Sequence, residues 1–456
     1  MLPAPPFQKS SWGAGLRPAI RSSYLTCFRL GMYTSHMDKE KFTLTAFAKV
    51  LIGVAIVGVI VLAQIFLWPW LGFGSEREMA LVGTGRVITY AFDAGAAFHS
   101  GDSRFFYFAT SSGMRMLDSN EVLMWSEAYS FNHPWLAARG DFVAVGETRG
   151  GRNIRVFDSG GAVFSVSLDT PIQSFWINES GFLSVIAEHD GGYIVYVFNR
   201  YRPTPAEPLF SWSVFDNLII PTHAEVSADG RYIAIGVMDL NFNVRHSVQF
   251  RYMSQWDAWG TDRGLFATED FPGQIITAMR FMNGNRLVVS TTARISGFQL
   301  GPGHASSRRI WDIPLENEKT HIEFYDGTHF AFATGARLPM ATGEGDPVGT
   351  VRIYGANGIP TGMFELGRRA THLRMGRNAL IVGGDRSFHA VNLRGDLLWD
   401  HTTLFDTLDV LFLDDTNTIL VAGSNQAEIF ERRRLREADF REPEPDFDFD
   451  FDWDFD

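Results

Sequence analysis

A hairpin pattern that returns every 38 to 55 residues constrains this chain more than any other feature it carries. Each unit is an apolar strand, a turn rich in Gly, Asn and Asp, and a second β-rich strand. Eight segments fit: AFHSGDSRFFYFA from Ala97, LAARGDFVAVGE from Leu136, SFWINESGFLSVIA from Ser174, AEVSADGRYIAIG from Ala224, MRFMNGNRLVVS from Met279, IEFYDGTHFAFA from Ile322, LRMGRNALIVGG from Leu373 and LFLDDTNTILVAG from Leu411. A period near 45 residues is that of a propeller blade. A second hairpin follows the first in most units, as in MRMLDSNEVLMWS from Met114, IRVFDSGGAVFSVS from Ile154, VRIYGANGIPTGMFEL from Val351 and FHAVNLRGDLLWD from Phe388.

Two hairpins make a four-stranded sheet that cannot bury both faces alone. Stacking such sheets face to face around a ring solves this and leaves only short edges. A pair of β-sandwiches is the competing all-β arrangement, but sandwiches lack this repeat. The eighth unit loses its pattern after AEIFERR and is one strand short, while a lone strand at residues 79–82 has no hairpin of its own. Pairing the two would close the ring without a disulfide. The expected fold is all-β: an eight-bladed propeller over residues 78–433, with seven blades as the alternative because two units are irregular.

Before the repeats stands VLIGVAIVGVIVLAQIFLWPWL, residues 50–71, with Gln64 its one strongly polar side chain. As a helix it would extend roughly 33 Å, enough for a hydrocarbon core of roughly 30 Å. Phe66, Trp68 and Trp70 stand where an interfacial aromatic belt belongs, and a cleaved signal peptide would have a shorter apolar stretch. A transmembrane helix over residues 50–72 is therefore expected. Lys39, Lys41 and Lys49 precede it closely and only Arg77 and Arg86 follow at similar range, so the positive-inside rule puts residues 1–49 in the cytoplasm and the propeller outside. Met37 opens a compact lysine-bearing run directly before the span and is read as the true start. That start would remove Cys27, the single cysteine, and one cysteine already excludes a disulfide framework.

The single span, the short strand at residues 78–81 and the hairpin turns Asp118 to Asn120 (DSN) and Asp158 to Gly161 (DSGG) give the chain a resemblance to an uncharacterised family of Gram-positive bacterial, single-pass membrane-anchored propellers with PQQ-like or WD40-like blades. The resemblance covers most of residues 38–432. It implies the fold and the anchor, and brings no established activity or catalytic residues.

No reaction, cofactor or metal is expected. There is no GxSxG elbow, HExxH helix or Walker loop. Ala390, Asn392, Gly395 and Trp399 are similar to the tryptophan-docking repeat of quinoprotein dehydrogenases, but the spacing is one residue short and the Thr before Gly is missing. A Trp that packs between blades explains the motif better. Asp239 to Asn243 (DLNFN) lacks the Gly and Glu of a calcium loop and reads as a solvated turn. His99, His223, His329 and His372 are read as scattered core or surface groups.

Binding is better supported. With 40 basic and 52 acidic side chains the net charge is −12, which argues against nucleic acid as a partner. Third-turn expansions in three successive units, from Asn199, Ser254 and Gly301, should lie on one face. They offer Arg200, Tyr201, Arg202, Trp256, Trp259, Arg263, Arg308 and Arg309, a mixture enriched at interface hot spots. The tail, residues 434–456, ends DFDFDFDWDFD; when extended, Phe447, Phe449, Phe451, Trp453 and Phe455 fall on one side and six Asp on the other. Alone it is expected to be disordered, and with a partner to add as an edge strand or lay its rings on a basic groove. The sequence thus reads as a membrane-anchored scaffold or sensor at the cell envelope that meets an envelope protein or a cell-wall polymer. The alternatives are a quinoprotein-like oxidoreductase and a glycan-binding module that stacks sugars on Trp256 and Trp259.

Overall fold

The computed structural model divides into two units, residues 1–76 and 77–456. It describes residues 79–434, apart from 92–94, 101–104, 148–149, 242–243, 254–263, 302–306, 317–318, 326, 336–348, 367–368, 385 and 415–416. Among the described residues no helix is long and apolar enough to cross a membrane. The expected span at residues 50–72 and the tail lie outside them.

Eight four-stranded antiparallel sheets follow one another along the chain. Seven are simple meanders: blade 1 (97–128), blade 2 (134–167), blade 3 (172–214), blade 4 (219–272), blade 5 (276–314), blade 6 (319–366) and blade 7 (372–402). Blade 8 takes three strands from residues 409–434 and its outermost from Met79–Thr89. The count is eight, not seven. The closing strand is longer than the four residues expected. It pairs Met79 with Arg434 and Thr89 with Gln426, and its register shifts between Gly83 and Val87. Gly85 takes a φ of 75° inside that irregularity, a value glycine adopts without steric cost. The adjoining Thr84 hydroxyl donates to the Ile429 carbonyl at 2.8 Å.

The core is divided as the sequence pattern demands. Among the described residues there are eight apolar clusters, one between each pair of neighbouring blades, including one that joins blade 8 to blade 1 through Leu411, Leu420, Phe98 and Phe108. No blade has an interior of its own, so each sheet becomes stable only against its neighbours. Tryptophans on outermost strands serve this packing. Trp125 stacks on Phe157 of blade 2 at 5.6 Å, Trp311 stacks on Phe330 of blade 6 at 5.7 Å, and Trp399 is buried in the cluster shared with blade 8. The indole of Trp311 lies against Gly297 and leaves no room for a Cβ there.

The turns are set by short polar side chains that cap their own backbone. Asp118 Oδ1 accepts the N–H groups of Asn120 and Val122, each at 2.8 Å, and Asn392 Oδ1 accepts those of Arg394 and Asp396. Asn178 does more. Its Oδ1 holds the N–H groups of Ser180 and Phe182, and its Nδ2 donates to the Val226 and Ser227 carbonyls of blade 4, both at 3.1 Å.

Candidate functional site

The first strand of each blade is innermost, and these strands follow one another around the ring, with contacts between those of most neighbouring blades. They enclose an axial cavity of about 830 Å³ lined by residues of every blade except blade 4. Strand register brings one position of the innermost strand into the channel wall. In blades 5 to 7 it holds Arg280, Glu323 and Arg374, and the same position of blade 4 holds Glu225, buried behind the lining; the four pair across the first ladder with Val288, Ala331, Ile381 and Ala234. Acid and base alternate around half the ring. In blades 1, 3 and 8 the same wall carries His99, Trp176 and Leu411.

The sequence carries a signal for this wall that the hairpin repeat does not contain. The four strands read THAE (222–225), TAMR (277–280), THIE (320–323) and THLR (371–374). In the first three the Thr falls where the register shifts, between Pro221 and His223, Ile276 and Ala278, and Lys319 and His321. An unpaired bulge residue leaves ladder groups without partners. Each of these threonines supplies one, donating to the carbonyl of Gly236, Ser290 or Ala333 at 3.1 to 3.3 Å. The bulge also sets the register of the next three residues, so the Glu or Arg at the fourth place is aimed by the Thr at the first. The pattern escapes a search for hairpins because it sits upstream of the turn.

The charges are matched within the channel. Arg139 of blade 2 binds Glu179 at 2.7 Å, lies 3.9 Å from Glu225, and donates to the Phe281 carbonyl of blade 5 at 2.6 Å. Arg374 forms two hydrogen bonds to Asp409 and lies 3.7 Å from Glu323. Arg280 lies over the Phe324 ring at 5.7 Å, and its buried Nε has no hydrogen-bond partner. Burial raises the pKa of Glu225, against the opposing pull of Arg280 and Arg139. Glu323 is raised by burial too, with Arg374 and Arg280 opposing. Burial lowers His99 to about 4, partly offset by its hydrogen bond with the Gly140 carbonyl. His223 is also lowered to about 4, first by burial, and its ring stacks with that of Trp176.

Other sequence-predicted groups are placed as follows. Arg200 and Tyr201 stand on the third turn of blade 3, with the guanidinium 5.0 Å from the ring centre, and Tyr201 is 76% exposed. Arg202 closes the same turn onto Asn199. Arg308 and Arg309 belong to the outermost strand of blade 5, not to the loop before it. Arg309 is engaged by the fold, pairing with Glu269 and Asp312 and lying over Phe271 and Phe298. Trp256, Trp259 and Arg263 lie outside the described residues, as do Phe447, Phe449, Phe451, Trp453 and Phe455. Asp239 Oδ1 accepts the N–H of Asn241 at 2.9 Å, as a turn requires. Among the described residues no cluster of His, Cys, Asp or Glu has the makings of a metal site.

Fold and cavity together define a β-propeller with a polar axial site. Residues 106–431 match the family of unknown function DUF5711, and the chain belongs to that family. No curated protein matches it. Similar solved structures include BamB from Moraxella catarrhalis, 11% identical with a TM-score of 0.45 over 77% of this chain and 100% of that one. Another is the Cps50 (Swd1) β-propeller domain of Myceliophteria thermophila, 10% identical with a TM-score of 0.44 over 77% and 100%. Hsv2 of Kluyveromyces lactis is 11% identical with a TM-score of 0.42 over 79% and 96%.

Proposed function

We propose that this protein is a membrane-anchored, extracytoplasmic propeller that acts as a non-catalytic binding scaffold or sensor at the cell envelope. The axial cavity carries this reading: about 830 Å³ lined by seven blades has the size of a ligand site, and polar groups converge on it from separate strands. The apolar segment at residues 50–71 and the lysines before it support the anchor and its orientation. Two of the channel arginines are paired, Arg139 with Glu179 and Arg374 with Asp409. Lys319 does meet Ser290, but Ser290 is fully buried and no substrate could reach its hydroxyl. The exposed Arg200, Tyr201 and Arg202, with the acidic and aromatic tail, would add contacts to a protein partner beyond the ligand in the channel.

Crosslinking of the full-length protein in intact membranes, with and without the Arg280→Gln change and the truncation after Arg436, tests the scaffold. Envelope adducts that one or both changes deplete are expected. An adduct pattern indifferent to both, or protection of the propeller from protease added to spheroplasts, would overturn the proposal.

A further inference from the structure

We infer that the axial cavity takes a short, uncharged glycan, with Trp135 as its stacking platform. This rests on the reading of the cavity as a ligand site and names the chemistry of the ligand.

Trp135 is the first observation. It lines the cavity and yet is 56% exposed. Tryptophans that serve this fold are used differently: Trp125 and Trp311 stack on the next blade and Trp399 is buried. A flat indole left uncovered inside a cavity offers a large apolar face at little entropic cost, and the C–H face of a sugar ring is the matching surface.

The second observation is the balance of charge in the lining that Trp135 shares. Arg139 is opposed by Glu179, and Arg374 by Asp409 and Glu323. The lining as a whole carries four arginines, Arg139, Arg280, Arg374 and Arg377, and four carboxylates, Asp141, Glu179, Glu323 and Asp414, so neither a phosphate or carboxylate nor an ammonium would meet a net opposite charge. Sugar hydroxyls need no net charge, because each both donates and accepts. Neighbouring hydroxyls are matched by a guanidinium next to a carboxylate, the order that Arg280 and Glu323 present on adjacent blades. Among the described residues Arg280 has no ion pair within 4 Å, and its Nε lacks a partner, so this donor is the least committed in the wall.

Calorimetric titration of the full-length protein in detergent with triacetylchitotriose, cellotriose and maltotriose, and with trigalacturonate as the charged counterpart, tests the inference. At least one neutral trisaccharide should bind, with a change in tryptophan emission, and trigalacturonate should bind more weakly. Trp135→Ala should weaken binding about tenfold, the scale of a lost stacking contact, and Trp135→Phe should restore part of it. Arg280→Gln should weaken it too, while the double change Trp256→Ala and Trp259→Ala should leave it unaltered. Thermal unfolding checks that each variant is folded. Four results would overturn the inference: no binding of any neutral trisaccharide, binding indifferent to Trp135→Ala, loss only in the double loop variant, or preference for trigalacturonate. Envelope crosslinks that persist while all sugars fail would sink the glycan and leave the scaffold; loss of both would remove both.

Discussion

Arg374 grips Asp409 through two parallel hydrogen bonds, Nε to Oδ1 and Nη2 to Oδ2, each 2.9 Å long. The pair ties blade 7 to blade 8 at the channel wall, and Glu323 of blade 6 lies 3.7 Å away on the other side of the guanidinium. A planar fork makes both bonds at once, which an ammonium cannot do. Arg374→Lys should therefore lower stability by about 1–2 kcal/mol, a figure kept small because the arginine side chain is 41% exposed. Arg374→Gln should cost more, since it leaves two carboxylates facing each other without a counterion. Urea unfolding with an unchanged m-value and a lower midpoint is the expected signature.

Asn178 performs the corresponding task between blades 3 and 4, but in neutral form and almost fully buried, at 2% exposure. All four hydrogen-bonding positions of its amide are in use. Asn178→Asp keeps the shape and turns two donors into acceptors that face carbonyl oxygens. It should cost about 3 kcal/mol or more, exceeding the loss from Asn178→Ser, which no longer spans to blade 4 but does not confront it. Denaturant melts of the two variants, compared side by side, check the order.

The ring depends on its closing strand. Leu81 is 7% exposed and packs with Phe430 and Trp399 in the cluster between blades 7 and 8. Leu81→Ala should cost about 2–4 kcal/mol, as for other buried leucines. Because the strand joins the two ends of the repeat region, the weakened variant should also be cut by protease first at blades 1 and 8. Limited proteolysis with mass mapping would show this, and cleavage beginning in blade 4 would contradict it.

Blade number and strand pairing were legible because each turn carries its own chemistry: Asp118, Asn178 and Asn392 stand where a side chain must cap the backbone, so their spacing in the sequence marks the hairpins. The closing strand was legible from the deficit of one strand in blade 8, though not its full length, since the irregular stretch from Gly83 to Val87 has no alternation to read. The channel was hidden for a different reason. Glu225, Arg280, Glu323 and Arg374 are separated by 55, 43 and 51 residues, and only strand register shows that they share one level of the ring. Arg309 shows the converse. In sequence it looked available for a partner, whereas its guanidinium is taken up by Glu269, Asp312 and two phenylalanine rings. Trp135 carried no signal, because exposure inside a cavity depends on which residues face it from other blades.

Lys319 gives the cleanest dependence on pH. Its ammonium donates to Thr277 Oγ1 at 2.5 Å and to Ser290 Oγ, and burial lowers its pKa from 10.5 to about 8. Between those values the unfolded chain binds more protons than the folded one, so stability rises with pH across the window and is lost as pH falls toward 8. The slope is at most about 1.4 kcal/mol per pH unit. His99 and His223, lowered to about 4, have the same sign between pH 4 and 6.5. Glu225 and Glu323 oppose them there: their raised pKa values give stability that is present below 4.5 and lost as pH rises through the folded values. The acid side is therefore a contest of opposite slopes, and the alkaline side is where one group can be isolated. Above pH 10 buried tyrosines such as Tyr90, raised to about 12, add a slope of the other sign, common to wild type and variant. In guanidinium melts from pH 7.5 to 10.5, wild type should gain stability relative to Lys319→Met as pH rises. A constant difference between the two would show that Lys319 holds its proton as tightly in the fold as in the open chain.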